Sequence, residues 1–288
     1  MDGDLGDFLR SRRARIRPEE VGLPSHGRRR VPGLRREEVA QLAGVSVDYY
    51  IRLEQGRGPG GPSRTKSGGV SDAVLDAVAR VLRLDETEQE YLRTVARPRR
   101  KPPKRPPAPR VRPGVQSLLD SLEGSPAFVL GRRMDVLAWN ALGDAVNGFS
   151  RMAPDDRNIP RHVFLDPAGR ELYPEWSAVA AQAVAHLRLN AGRYADDRDL
   201  CALVGELSLK SEEFRRMWAD HQVKECAYGV KKVRHPVAGL LTLPYETLAL
   251  PADPEQTIVA YTPEPGSETA ERLALLGSWK ATTTAAID

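Results

Sequence analysis

Arginine supplies most of the chemistry available to this chain of 288 residues. Guanidinium groups bind phosphate and the edges of guanine, and here they come in clusters. Arg97 to Pro113 reads RPRRKPPKRPPAPRVRP, with eight basic residues and seven prolines. Arg28, Arg29 and Arg30 are consecutive, and Arg64-Thr65-Lys66 is a third basic stretch. The patterns of covalent and metal chemistry are missing. There is no Gly-x-Ser-x-Gly elbow, His-Glu-x-x-His or Walker loop. His26, His162, His186, His221 and His235 are scattered without metal-ligand spacing. Cys201 and Cys226 are too few for a disulfide framework or a zinc site of their own, which suits a reduced, cytoplasmic setting. Cys226, beside Glu225 and near Lys224, reads as a structural thiol. Catalysis is not expected.

The charge is divided. Lys and Arg exceed Asp and Glu by ten over residues 1–114, and fall six short over 115–288, within a whole-chain balance of +4. Only the first half therefore suits a polyanion. The proline-rich stretch can join neither a helix nor a central strand, so it divides the chain as an extended linker. It serves as a spacer or as an additional phosphate contact. The domains expected are 1–96, the linker 97–113, and 114–288. No window holds the roughly 18 apolar residues of a membrane span, and the start, MDGDL, lacks the pattern of a secretory signal.

The spacing of apolar residues places helices in the first domain. Leu5, Phe8, Leu9 and Ile16 make one amphipathic helix, with Arg10, Arg12, Arg13 and Arg15 assigned to its polar side. Arg35–Ala43 places Val39, Leu42 and Ala43 on one face, with small Ala40 allowing close crossing. Gly44 turns the chain, Ser46 caps the next helix, Tyr50 and Leu53 point inward, and Gly56 ends it. Two short helices joined by a glycine turn form a helix-turn-helix. Gly56–Ser71, with six glycines and two prolines, reads as a loop.

In the second half, 127–130 and 136–139 read as paired strands. Helices follow over 140–147, 173–189, 197–207 and 211–222. Further strands are expected at 228–234, 239–243, 246–250 and 256–262, with His235-Pro236, Pro244 and Pro251–Pro254 as breaks. This is an α+β pattern in which helices cover one face of an antiparallel sheet, leaving an apolar pocket between the layers.

The stretch LRREEVAQLAGVSVDYYIRLEQGRGP resembles the xenobiotic-response-element (Cro/C1-type) helix-turn-helix family in its actinobacterial branch, and SDAVLDAVARVLRLDETEQEYLRTVA resembles the two closing helices of that all-α, five-helix domain. Residues 60–70 stand as an insertion against that pattern. The phrases VLAWN, EFRRMW, KKVRHPVAGLLTL and QTIVAYTPEPGS make the second half similar to MmyB-like regulators, with a PAS-like ligand-binding domain.

The resemblance implies a DNA-binding transcription factor. Arg36 and Arg57 would contact phosphate, while Val47, Asp48 and Arg52 would face base edges with Ser46 and Tyr49 beside them. Asp48 suits the helix dipole equally well. A single recognition helix reads few base pairs, so a homodimer on double-stranded DNA is expected. The pocket would hold a small apolar molecule, a fatty acid among the options, and no other cofactor. The family is associated with actinomycete secondary metabolism. Candidate pocket residues are Phe128, Leu137, Trp139, Phe164, Trp176, Leu187, Tyr194, Leu207, Phe214 and Trp218, with His221 and Tyr228 as polar anchors; each equally suits core packing. A DNA-tethered enzyme and a protein-docking adaptor are the alternatives.

Overall fold

The computed structural model describes residues 4–23, 33–56, 70–96, 109–221 and 227–285. The chain divides into two compact units. One is Met1–Pro102 with Ala191–Asp196 and Ala219–Lys224; the other is Pro103–Asn190 with Asp197–Trp218 and Glu225–Asp288.

The first unit contains α1 (Asp4–Arg15), α2 (Arg36–Ala43), α3 (Val47–Glu54), α4 (Asp72–Val81) and α5 (Glu86–Ala96). Its core is built from the expected stripe of α1, namely Leu5, Phe8, Leu9 and Ile16, with Val39, Ala40, Tyr50, Leu53, Leu75, Val78, Tyr91 and Leu92. Two details depart from the sequence expectation. Leu42 is 37% exposed, because Val39 and Ala40 take the inward face of α2. Arg12 is buried, four residues beyond Phe8 and on the same stripe. Its guanidinium lies 4.6 Å from the Phe8 ring centre, and its Nε is 2.7 Å from Glu88. Burial works against the Arg12 charge and Glu88 sustains it.

The second unit begins with α6 (Pro113–Ser121), then β1 (Ala127–Gly131), β2 (Val136–Trp139) and α7 (Ala141–Asn147). It continues through α8 (Ile159–Leu165), α9 (Pro167–Leu172), α10 (Trp176–Arg193), α11 (Arg198–Lys210) and α12 (Glu212–Ala219). It closes with β3 (Tyr228–His235), β4 (Gly239–Ala249), β5 (Gln256–Tyr261) and α13 (Glu268–Ala285). The five strands form one antiparallel sheet in the order β2-β1-β5-β4-β3.

Pro244 does not break this sheet. β4 runs straight through it, joining the two strands that its presence had separated. Thr262 N–H donates to Pro244 O at 2.8 Å, so the backbone of residue 244 faces the end of β5, just beyond the last pair, Tyr245 with Tyr261. The missing amide hydrogen thus falls where the ladder stops and costs no strand bond.

Both faces of the sheet are covered, not one. The larger core joins Phe128, Val233, Leu241, Leu243, Val259 and Tyr261 to α7, α8, α10 and α13. On the other face α6 lays Val115 and Leu119 against Val129, Ala138, Ile258 and Ala260. Pro113 opens α6 at its first position, where no amide donor is required, after an extended Arg112. Asn140 locks this helix to the sheet. Its Oδ1 accepts from Gly143 N–H at 2.7 Å, capping α7, and from Ala127 N–H at 3.0 Å, while Nδ2 donates to the carbonyls of Leu119, Leu122 and Ser125.

His235 closes the β3–β4 hairpin. Its Nδ1 accepts from Val237 N–H at 3.2 Å and Ala238 N–H at 3.0 Å, so Nε2 carries the hydrogen donated to Ala145 O at 3.0 Å. Burial lowers the His235 pKa, and the folded state therefore favours the neutral ring. That contribution is complete above the unfolded value of about 6.5 and is lost as pH falls toward the lower folded value. Melting curves between pH 7.5 and 5 should show falling stability, with a shallower fall in His235→Gln; identical slopes in both proteins would remove His235 from the acid response.

Candidate functional site

The first candidate surface is the outward side of α3. Ser46 Oγ accepts Tyr49 N–H at 3.2 Å and caps the helix, and Gly44 makes the preceding turn at φ 69°, a conformation open to glycine. With Tyr50 and Leu53 buried, Ser46, Val47, Asp48 and Arg52 are exposed and Tyr49 half-buried. Arg52 lies back along its own helix, its Nε 3.3 Å from Asp48 O. Asp48 sits in the first turn, where its charge opposes the positive end of the helix dipole.

The inner end of α3 is held by charge. The Glu54 side chain is only 1% exposed; Oε1 takes Arg13 Nη2 from α1 at 3.1 Å and Oε2 takes Arg36 Nε from α2 at 2.5 Å. Arg13 Nη1 also donates to Leu34 O at 2.6 Å, and Arg13 O accepts Leu34 N–H at 3.1 Å. The backbone of Gly6 lies against Glu54 O so closely that any Cβ would collide with it. Arg36 therefore braces α3 through Nε, while its side chain remains 43% exposed. The hydrogen bond to Glu54 raises the Arg36 pKa. Arg57, Arg28–Arg30, the 60–70 stretch apart from Val70, most of the 97–113 linker and Cys226 lie outside the described residues.

The second candidate site is an apolar crevice in the α+β unit. Val136, Asn147, Phe149, Met152, Asn158, Ile159, His162, Leu172 and Tyr173 line about 230 Å³ of non-atom space, none of it wide enough for a water molecule. Seven of these are buried, and Met152 and Leu172 are partly exposed. Asn158 caps α8 by accepting Arg161 N–H at 3.1 Å and donates to Arg133 O and Asp135 Oδ1. Burial pushes the Tyr173 hydroxyl up to about 12, which keeps it protonated. His162 Nδ1 is 3.0 Å from Asp166 Oδ2, and Asp166 Oδ1 caps α9 by accepting Ala168 N–H at 2.9 Å. Nε2 of His162 is buried without a hydrogen-bond partner. An unmet buried polar atom costs about 1–3 kcal/mol.

None of the twelve expected pocket residues lines this crevice. Four of them form a connected aromatic file: Phe164 meets Trp176 and Phe214 edge-on at 5.7 and 5.1 Å, and Phe214 stacks on Trp218 at 5.5 Å. Phe128 packs between Phe149 and Tyr261, Trp139 lies 5.6 Å from Phe149, and Leu187 and Leu207 are fully buried. Leu137 packs with the α6 cluster on the opposite sheet face. Tyr228, the first residue of β3, is 76% exposed. Tyr194 and His221 group with the first unit, not with the sheet that forms the crevice. His162 carries one local signal in the sequence, its i,i+4 spacing to Asp166.

Among the described residues no helix is long and apolar enough to cross a membrane. A helix-turn-helix unit followed by an α+β unit with an apolar crevice defines a transcription regulator with a ligand-binding domain. Residues 4–92 match the family described as helix-turn-helix domain, and residues 111–276 match the MmyB-like transcription regulator ligand binding domain. The chain belongs to this MmyB-like family. No match to a curated protein was found.

Removing one member of a buried ion pair leaves uncompensated charge. Glu54→Ala should destabilise the first unit by about 3–5 kcal/mol in chemical denaturation. A loss below about 1 kcal/mol would show that α3 is held without this carboxylate.

Proposed function

We propose that the chain is a sequence-specific DNA-binding transcription regulator, acting as a homodimer in the cytoplasm, whose second unit takes up a small apolar molecule that alters DNA binding. The observation that carries the DNA reading is the exposed face of α3, fixed from behind by Glu54 and set in the half of the chain with the basic excess. In this reading α3 enters the major groove. Arg52 donates to guanine O6 and N7, Asp48 accepts from cytosine N4–H, and Val47 meets a thymine methyl. Ser46 and Tyr49 flank these contacts, and Arg36 and Arg57 hold phosphate. The ligand reading is supported by the MmyB-like match and the apolar crevice, and a fatty acid is the first ligand to test. The lining side chains must move to admit it, since the crevice is too narrow for a water molecule.

Selection of bound sequences from a random DNA pool gives the operator and tests the docking. Arg52→Ala should relax preference at one position in each half-site, at a cost of about 1–3 kcal/mol. Unchanged preference at every position would sink this placement of α3.

The salt dependence of affinity tests the linker. Replacing Arg99, Arg100 and Lys101 with Ser should weaken binding to all sequences alike and flatten the slope of log affinity against log salt. An unaltered slope would leave the segment as a spacer.

A further inference from the structure

We infer that Nε2 of His162 is the polar anchor of the crevice, and that it accepts a hydrogen bond from the terminal O–H of an apolar chain, either a carboxylic acid or an alcohol. The inference rests on the reading that the second unit holds a small apolar molecule. It starts from the one lining side chain whose polar edge is left unmet. Asp166, an acceptor, occupies the Nδ1 side of the ring at 3.0 Å, which places a ring hydrogen on Nδ1; in the neutral ring Nε2 is then the lone pair. Nε2 is buried and without a partner, in a crevice too tight for water to serve.

The surroundings define what would bring that partner. Val136, Phe149, Ile159 and Leu172 are apolar, and no lysine or arginine lines the space, so no fixed positive charge waits for an anion. Asn158 spends its amide hydrogens on Arg133 O and Asp135 Oδ1, and Asn147 donates to Gly143 O at 2.9 Å. The partner is therefore an apolar body with one hydrogen-bond donor, such as an O–H. A carboxylic acid or an alcohol supplies it; a methyl ester offers only acceptors, and an alkane nothing. His162 is also rigidly placed. Its own carbonyl packs against Gly169 of α9, where any Cβ would collide. The turn from α8 into α9 thus holds Asp166 and the imidazole in one arrangement.

The test uses the full-length protein and four probes of equal chain length: dodecanoic acid, dodecanol, methyl dodecanoate and dodecane. Affinities come from displacement of a fluorescent apolar dye. The acid or the alcohol should bind about tenfold more tightly than the ester, the difference of one buried hydrogen bond, and the stronger of the two names the ligand class. In His162→Phe the gap between donor and ester should close. Because that variant could unfold, the unmutated protein labelled with 15N-histidine supplies a second reading. One Nε2 resonance among the five histidines should shift with the acid or alcohol and stay in place with the ester. Equal affinity for ester and donor probes, or a gap that persists in a folded His162→Phe, overturns the anchor while leaving the ligand reading standing. Failure of all four probes to bind overturns both.

Discussion

A carboxylate with almost no exposed surface, that of Glu54, holds the helix-turn-helix in register. It ends α3, and the two arginines that neutralise it come from α1 and α2, so one group ties three helices to a common point. Desolvating these charges is expensive, and a well-packed apolar trio could match the net stability. What the ionic arrangement adds is direction. Two guanidinium groups aimed at two oxygens of one carboxylate tolerate little rotation, so the exposed face of α3 that carries Arg52 and Asp48 is fixed in direction. The collision awaiting any side chain at Gly6 makes the same demand sterically, since α1 must sit directly on the carbonyl of Glu54.

The second unit uses a neutral counterpart. Asn140, buried beside the sheet, satisfies both its oxygen and its amide against the first strand, the seventh helix and the end of the sixth. Asn158 and His235 likewise find partners for the groups they bury. The Nε2 of His162 lacks such a partner, as do a few other buried atoms, Gln256 Oε1 among them; His162 is the one of these residues that lines the crevice.

The helical half was legible in the sequence because its signals are local. Gly44, Ser46 and the stripe through Tyr50 and Leu53 each act within a turn of helix, and all appear where expected. Arg12 was misplaced because its partner, Glu88, is remote in sequence, so composition alone assigned it to the surface. In the second half the α+β class was readable, but α6, α8, α9 and α13 were not, being short or of mixed pattern beside proline-rich and polar segments. Pro244 looks like a break in the sequence because its harmlessness depends on where β5 ends, a non-local fact. The candidate pocket illustrates the limit most directly. Phe128, Leu187 and Leu207 are buried whether or not a ligand exists, so apolarity could not separate lining from core. The residue that stands out, His162, does so through an absent partner, which no periodicity encodes.

The strand order carries a consequence for how the chain comes to be folded. β1, near the start of the second unit, pairs with β5 near its end, Ala127 against Ala260, so the sheet's middle seam closes only after the intervening helices and hairpin have been made. Contacts of such long sequence separation slow folding, whereas the neighbouring helices of the first unit meet over short distances. On a ribosome the helical unit can complete its core while β1 and β2 remain a lone hairpin, with Phe128 and Val129 still in water. The α+β unit is thus the vulnerable part of biosynthesis, and its fate is decided when β5 emerges to join the two halves of the sheet.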